Sequence, residues 1–208
     1  MAWSYISAGS VVHGANPTVP LPSSYATGDL LLLVLNGGNG ASAPSGWTVI
    51  ASSVGHFENT SVWYKIATSS ESAPVVSSFT NLSVAAMVAY RGVNSLNITP
   101  SLSWGNSGKV ISNSITTTNT DELVISIFSS TWVTGTWTPP TGVNVRLNVP
   151  GLSSTNLSFL LVDEDKTPAG ATISRTIQYA PAYGVDAMVF SLYQSSTSTS
   201  SSNIFLMF

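Results

Sequence analysis

The stretch from Asp29 to Arg91 is matched, element by element, by the stretch from Asp121 to Tyr193, and this duplication constrains the fold more than any other feature of the chain. Gly28-Asp29-Leu30-Leu31-Leu32-Leu33 opens an apolar run in the first copy, and Asp121-Glu122-Leu123-Val124-Ile125-Ser126 opens its counterpart. Pro44-Ser45-Gly46-Trp47 answers to Pro140-Thr141-Gly142-Val143, and Ser61-Val62-Trp63-Tyr64-Lys65-Ile66 to Asn156-Leu157-Ser158-Phe159-Leu160-Leu161. Ala86-Met87-Val88-Ala89-Tyr90 is set against Ala187-Met188-Val189-Phe190-Ser191. The offset, roughly 93 to 101 residues, is far longer than the unit of a solenoid or propeller. Two half-domains closing one core are therefore expected, with half-repeats at about 29–91 and 121–193 inside a single unit spanning 1–194.

Between Gly and Pro punctuation the chain alternates apolar and β-branched residues with Ser, Thr and Asn, the period-2 signal of strands. Strands are predicted at 2–8, 29–36, 48–54, 61–68, 75–80, 82–91, 109–115, 122–129, 143–149, 157–162, 172–178 and 185–193. The fold class that follows is all-β, a two-sheet antiparallel sandwich. Leu30 to Leu35 is continuously apolar, which suits a strand buried on both faces or covered by a neighbouring subunit. On the strand at 61–68 Trp63 and Lys65 alternate with Val62, Tyr64 and Ile66, a second apolar surface that points to a partner.

Charge is scarce. Charged residues make up 7% of the 208, against about 25% in an average domain, and six basic side chains with a net charge of −3 supply no positive stripe for phosphates. Direct nucleic-acid binding is not expected. The absence of cysteine removes disulfides, thiolate metal sites and thiol nucleophiles. Met1 to Tyr5 lacks the basic and apolar regions of a signal peptide, and the apolar runs are too short to cross a bilayer as a helix, so neither Sec export nor membrane insertion is expected.

Chemistry has few places to reside. His13 and His56 lack metal-ligand spacing, no Gly-x-Ser-x-Gly elbow occurs, and Asp163-Glu164-Asp165-Lys166 lacks the spaced carboxylates and glycine of a calcium loop. A non-enzymatic protein without cofactors or metals is expected. Trp47, Trp63 and Tyr64 fall where they face a core, whereas Trp104, Trp132 and Trp137 fall in or beside predicted loops and are candidates for glycan or interface contact. After Gln194 the chain becomes a Ser/Thr-rich tether, 195–202, followed by an apolar segment, 203–208, in which Ile204, Phe205, Leu206, Met207 and Phe208 are candidates for docking onto a partner.

Gly28-Asp29-Leu30-Leu31, Pro44-Ser45-Gly46-Trp47-Thr48, Ser61 to Ala67 and Ala89-Tyr90-Arg91-Gly92-Val93 together resemble a jelly-roll family of tailed-phage virion proteins. Trp137-Thr138-Pro139-Pro140 and Pro168-Ala169-Gly170-Ala171-Thr172 extend the likeness into the second half. The resemblance implies a structural part of a virion, such as a head decoration protein or a tail or fibre component; with the single-domain length, the hydroxyl-rich composition and the apolar tail on its tether, a head decoration protein acting as a homotrimer on the major capsid protein is expected, located in the virion. The alternative it leaves open is a tail or head-fibre component, or a module that binds host glycan as a receptor.

Overall fold

In the computed structural model, which describes residues 3–37, 40–54, 59–77, 82–106, 109–131, 136–152, 156–178 and 184–194, every regular element is a strand. The first half supplies β1 (Ser4–Ala8), β2 (Val12–His13), β3 (Leu30–Asn36), β4 (Thr48–Val54), β5 (Thr60–Ile66) and β6 (Val84–Arg91). The second supplies β7 (Ser95–Asn106), β8 (Lys109–Ile111), β9 (Glu122–Ser130), β10 (Asn144–Val149), β11 (Ser158–Lys166), β12 (Thr176–Gln178) and β13 (Gly184–Tyr193). One sheet runs β1-β6-β3-β5-β4 with β2 on β6, the other runs β10-β11-β9-β13-β7, and β12 pairs β8 in a separate ribbon. Every pairing between strands is antiparallel. Each half of the sequence therefore builds one sheet in the same order, with β3 and β9 as the central strands.

The equivalence reaches into the backbone. Gly28 enters β3 at φ +91° and Asp121 enters β9 at +61°, so the tight entry needs left-handed backbone in both halves. Gly46 (+81°) and Gly142 (+76°) make the turns before β4 and β10. Both of these edge strands then bulge at one matching place, between Val49 and Ala51 and between Val145 and Leu147. The preceding loop reaches each edge through a side chain, Ser52 Oγ donating to the Ala41 carbonyl and Asn148 Nδ2 to that of Trp137. Such cover limits edge-to-edge pairing.

The two sheets pack face to face over one core, to which β3 contributes Leu30, Leu32 and Val34 and β9 contributes Leu123, Ile125 and Ile127. Phe159, Leu161, Met188, Phe190 and Leu192 fill it from the second sheet. Each large side chain buried here contributes about 1.5 to 3 kcal/mol, so this interface dominates the stability of the fold.

Both outer faces are also buried, and by the chain itself. Leu31, Leu33, Leu35, Trp63 and Met87 lie under Val19, Ala41 and Val76, with Leu21, Tyr25 and Trp47 packed alongside. On the other sheet Phe128, Leu160 and Val185 lie under Val110, Trp137 and Ile177. The second apolar surface of β5 thus has its cover within the protein, Trp63 being wholly buried.

The strands depart from expectation in several places: β2 answers to no predicted strand, and those predicted at 109–115 and 172–178 shorten to β8 and β12. Residues 95–106, read as loop, form β7, the longest strand. Val75 makes only an isolated bridge to Thr18 where a strand was predicted, and residues 78–80 of that prediction lie outside the described residues. Met87 and Met188, aligned by sequence, face opposite sides: Met87 lies under the outer cover and Met188 in the central core. A one-residue slip inverts the face of a strand, so the true counterparts are Ala86 with Met188, Val88 with Phe190 and Tyr90 with Leu192.

Candidate functional site

Three places concentrate polar chemistry among the described residues: a corner where β1, β6, β10 and β11 meet, the two loops that enter the central strands, and a cleft on the outer face of the second sheet.

At the corner Asp163 on β11 is 1% exposed and accepts three hydrogen bonds, from Tyr90 Oη (2.9 Å), Arg146 Nε (2.6 Å) and Asn144 Nδ2 (3.1 Å). The Arg146 guanidinium carbon sits 4.4 Å above the centre of the Tyr5 ring, and Tyr5 and Trp3 both meet Tyr90 edge-on. Trp3 Nε1 donates to Asp165 at 3.0 Å. Burial, followed by the Asp163 charge, holds the Tyr90 hydroxyl well above its ordinary pKa, and the same carboxylate raises Arg146 against the opposing effect of burial. The geometry is that of a buried charge pair closed by aromatic rings, tying the first strand of one sheet to the edge of the other.

Its counterpart across the duplication is apolar. Tyr5 pairs with Tyr90 as Leu96 approaches Leu192, the bulge that carries Arg146 carries Ile50 in the first half, and Asp163 stands opposite Ile125 as Tyr64 stands opposite Leu32. Leu192, Ile50, Tyr64 and Leu96 all pack in or against the central core. The sandwich thus closes one such corner with oil and the other with charge.

Asp29 and Glu122 occupy the loops entering the central strands. Asp29 takes the Ala26 N–H and both Nε and Nη2 of Arg91, and its carboxyl is held below the usual range by Arg91. Glu122, 0% exposed, takes the Thr118 and Asn119 N–H groups, Asn97 Nδ2 and Ser191 Oγ. Burial alone raises its pKa; those four hydrogen bonds outweigh it and leave the carboxyl below its ordinary value.

The charged run 163–166 is divided by strand alternation. Asp163 and Asp165 face the first sheet, whereas Glu164 faces outward and pairs with Arg175. The run therefore offers no converging set of oxygens to a cation. His13 is partly buried with Nδ1 lacking a hydrogen-bond partner, and burial lowers its pKa. His56 lies outside the described residues.

Of the three loop tryptophans, Trp137 is 2% exposed and belongs to the outer-face core with Phe128 and Ile177, so its ring has no open face for a sugar or another subunit. Trp104 is 55% exposed on β7, opposite Asp186 of β13, and stands on an edge strand, not in a loop. Trp132, the tether 195–202 and the segment Ile204, Phe205, Leu206, Met207 and Phe208 lie outside the described residues.

The cleft has a volume of about 840 Å³ and lies between residues 136–141 and 173–178. Arg175 forms part of its lining and binds the Thr141 and Gly142 carbonyls as well as Glu164. The cleft has no signature in the sequence, because its walls come from two distant segments with no motif to join them.

Comparison with family profiles, curated proteins and solved structures returns no match to this chain.

Proposed function

We propose that the chain is a non-enzymatic structural protein of a virion, a capsid decoration protein that binds the shell as a homotrimer and stabilises it. The observation that carries this reading is the use the fold makes of its few charges. Asp29, Glu122 and Asp163 are buried and saturated by donors from their own loops and the facing sheet. Carboxylates spent in this way stiffen a body. Two sheets closed on one core with their central strands covered by the chain itself, a hydroxyl-rich surface and an apolar tip on a Ser/Thr tether fit a rigid body that grips a neighbour through its terminal segment. Around a threefold axis such segments would reach adjacent shell subunits and add strands to open edges.

Shortening the chain to end at Gln194 tests the reading. Occupancy of the shortened protein on particles should fall by about tenfold or more, because loss of several apolar anchors removes more than 1.4 kcal/mol. Equal occupancy of the two forms would contradict it.

A second reading, a tail or head-fibre component or glycan-binding module, is favoured by the exposed ring of Trp104. Replacing Trp104 by Ala and measuring glycan binding separates the two.

A further inference from the structure

We infer that the cleft between residues 136–141 and 173–178 is a binding site for a neutral oligosaccharide. Each wall is anchored from beneath. Trp137 and Ile177 are buried in the same outer-face core, and the residues flanking them, Thr136 and Thr138 on one side and Thr176 and Gln178 on the other, turn outward and line the cleft. Two rows of hydroxyl and amide groups thus face a common space from rigid supports. Asn148 holds the first wall through both backbone groups of Trp137, at 3.1 Å and 2.9 Å. Arg175 holds its far end by bonding the Thr141 and Gly142 carbonyls while pairing with Glu164 of β11. Side chains fixed in this manner lose little freedom when they bind.

The chemistry of the lining selects the ligand. Arg175 is the one charged residue among those lining the cleft, and its charge is answered by Glu164, so an anion gains little there. Alternating donors and acceptors suit the hydroxyls of a pyranose chain, and Pro139, Pro140 and the 69%-exposed Ile173 offer apolar surface to the C–H faces of its rings. The volume falls in the range of sites for small ligands, about 300 to 1,000 Å³. The inference does not rest on the virion role: a silent glycan screen leaves that role untouched, and an unaffected truncation leaves the cleft untouched.

The test is an array of neutral and acidic oligosaccharides probed with the full chain, each binder then titrated calorimetrically. Thr138→Val with Thr176→Val removes two hydroxyls at nearly constant volume, and thermal unfolding checks that the fold is kept. Neutral glycans should bind, and the double variant should bind about tenfold more weakly at unchanged Tm. An array with no binder, or with acidic binders only, overturns the inference. So does binding that survives the double variant, or an extended peptide binding there in place of a sugar.

Discussion

Asp29 and Glu122 stand at the same place in the two halves, each buried at the entry to the central strand of its sheet and each receiving backbone N–H groups of the loop before it. Each also reaches the neighbouring strand, Asp29 through Arg91 on β6 and Glu122 through Ser191 on β13. The duplication has thus kept a mechanical device while changing its parts. Arg91 is largely exposed, so its attraction is screened, whereas Ser191 meets Glu122 out of water and Asn97 meets it partly buried.

Replacing Glu122 by Ala should therefore cost about 3 kcal/mol, because it leaves buried donors unmatched, and replacing Asp29 by Ala should cost less. Chemical denaturation of the two variants measures the difference. Equal losses would contradict the distinction drawn between them.

The pH dependence follows from the direction of the shifts. Asp29 and Glu122 have folded pKa values below their ordinary 3.8 and 4.5, so their stabilisation is complete above those values and is lost as pH falls through the lower folded ones. Tyr90 is shifted upward from 10.0, so its contribution is complete below pH 10 and is lost as pH rises through the folded value. Tm should fall on the acid side below about pH 4.5, and Glu122→Gln should flatten that acid limb in a thermal scan.

The charged corner offers a test by exchange. Asp163→Ala strands Arg146 and the Tyr90 hydroxyl and should cost about 3 to 5 kcal/mol. Writing the residues of the other corner into this one, Asp163→Tyr with Arg146→Ile and Tyr90→Leu, should return stability to within about 1 kcal/mol of the parent, as apolar replacements of buried ion pairs do. Denaturant midpoints of both variants check it; a triple variant as unstable as Asp163→Ala would show that the two corners are not equivalent.

Trp104 and Trp137 should separate by stability alone. Trp137→Ala empties the outer-face core and should cost about 3 to 5 kcal/mol, whereas Trp104→Ala, at an exposed site, should cost less than about 1 kcal/mol. Thermal unfolding of the pair reads the result directly.

Much of this fold was legible in the residues because its signals are local. The Leu30 to Leu35 run, the Gly46 and Gly142 turns and the paired strand openings at Asp29 and Glu122 each announce their element. β7 was not legible: Ser95 to Asn106 is rich in Ser and Asn and carries Pro100, which suits an edge strand because a missing N–H costs nothing on an open side and the ladder bulges nearby. The cover over Trp63 was hidden for a different reason. Val19, Tyr25, Trp47 and Val76 are isolated apolar residues in irregular segments, and only folding brings them over one strand. The same holds for the candidate cleft, whose two walls are separated by some 35 residues of sequence and meet only because Trp137 and Ile177 share a core.

Light scattering after size exclusion addresses assembly. The full chain should elute at a concentration-independent mass about three times its 21.7 kDa. A monomer at all concentrations would remove the homotrimer from the account.

Membership of a virion is read by quantitative mass spectrometry of purified particles made with this chain present. Many copies per particle are expected, in a fixed ratio to the major capsid protein. Particles that carry none of it, while the free chain accumulates in the lysate, would contradict that membership.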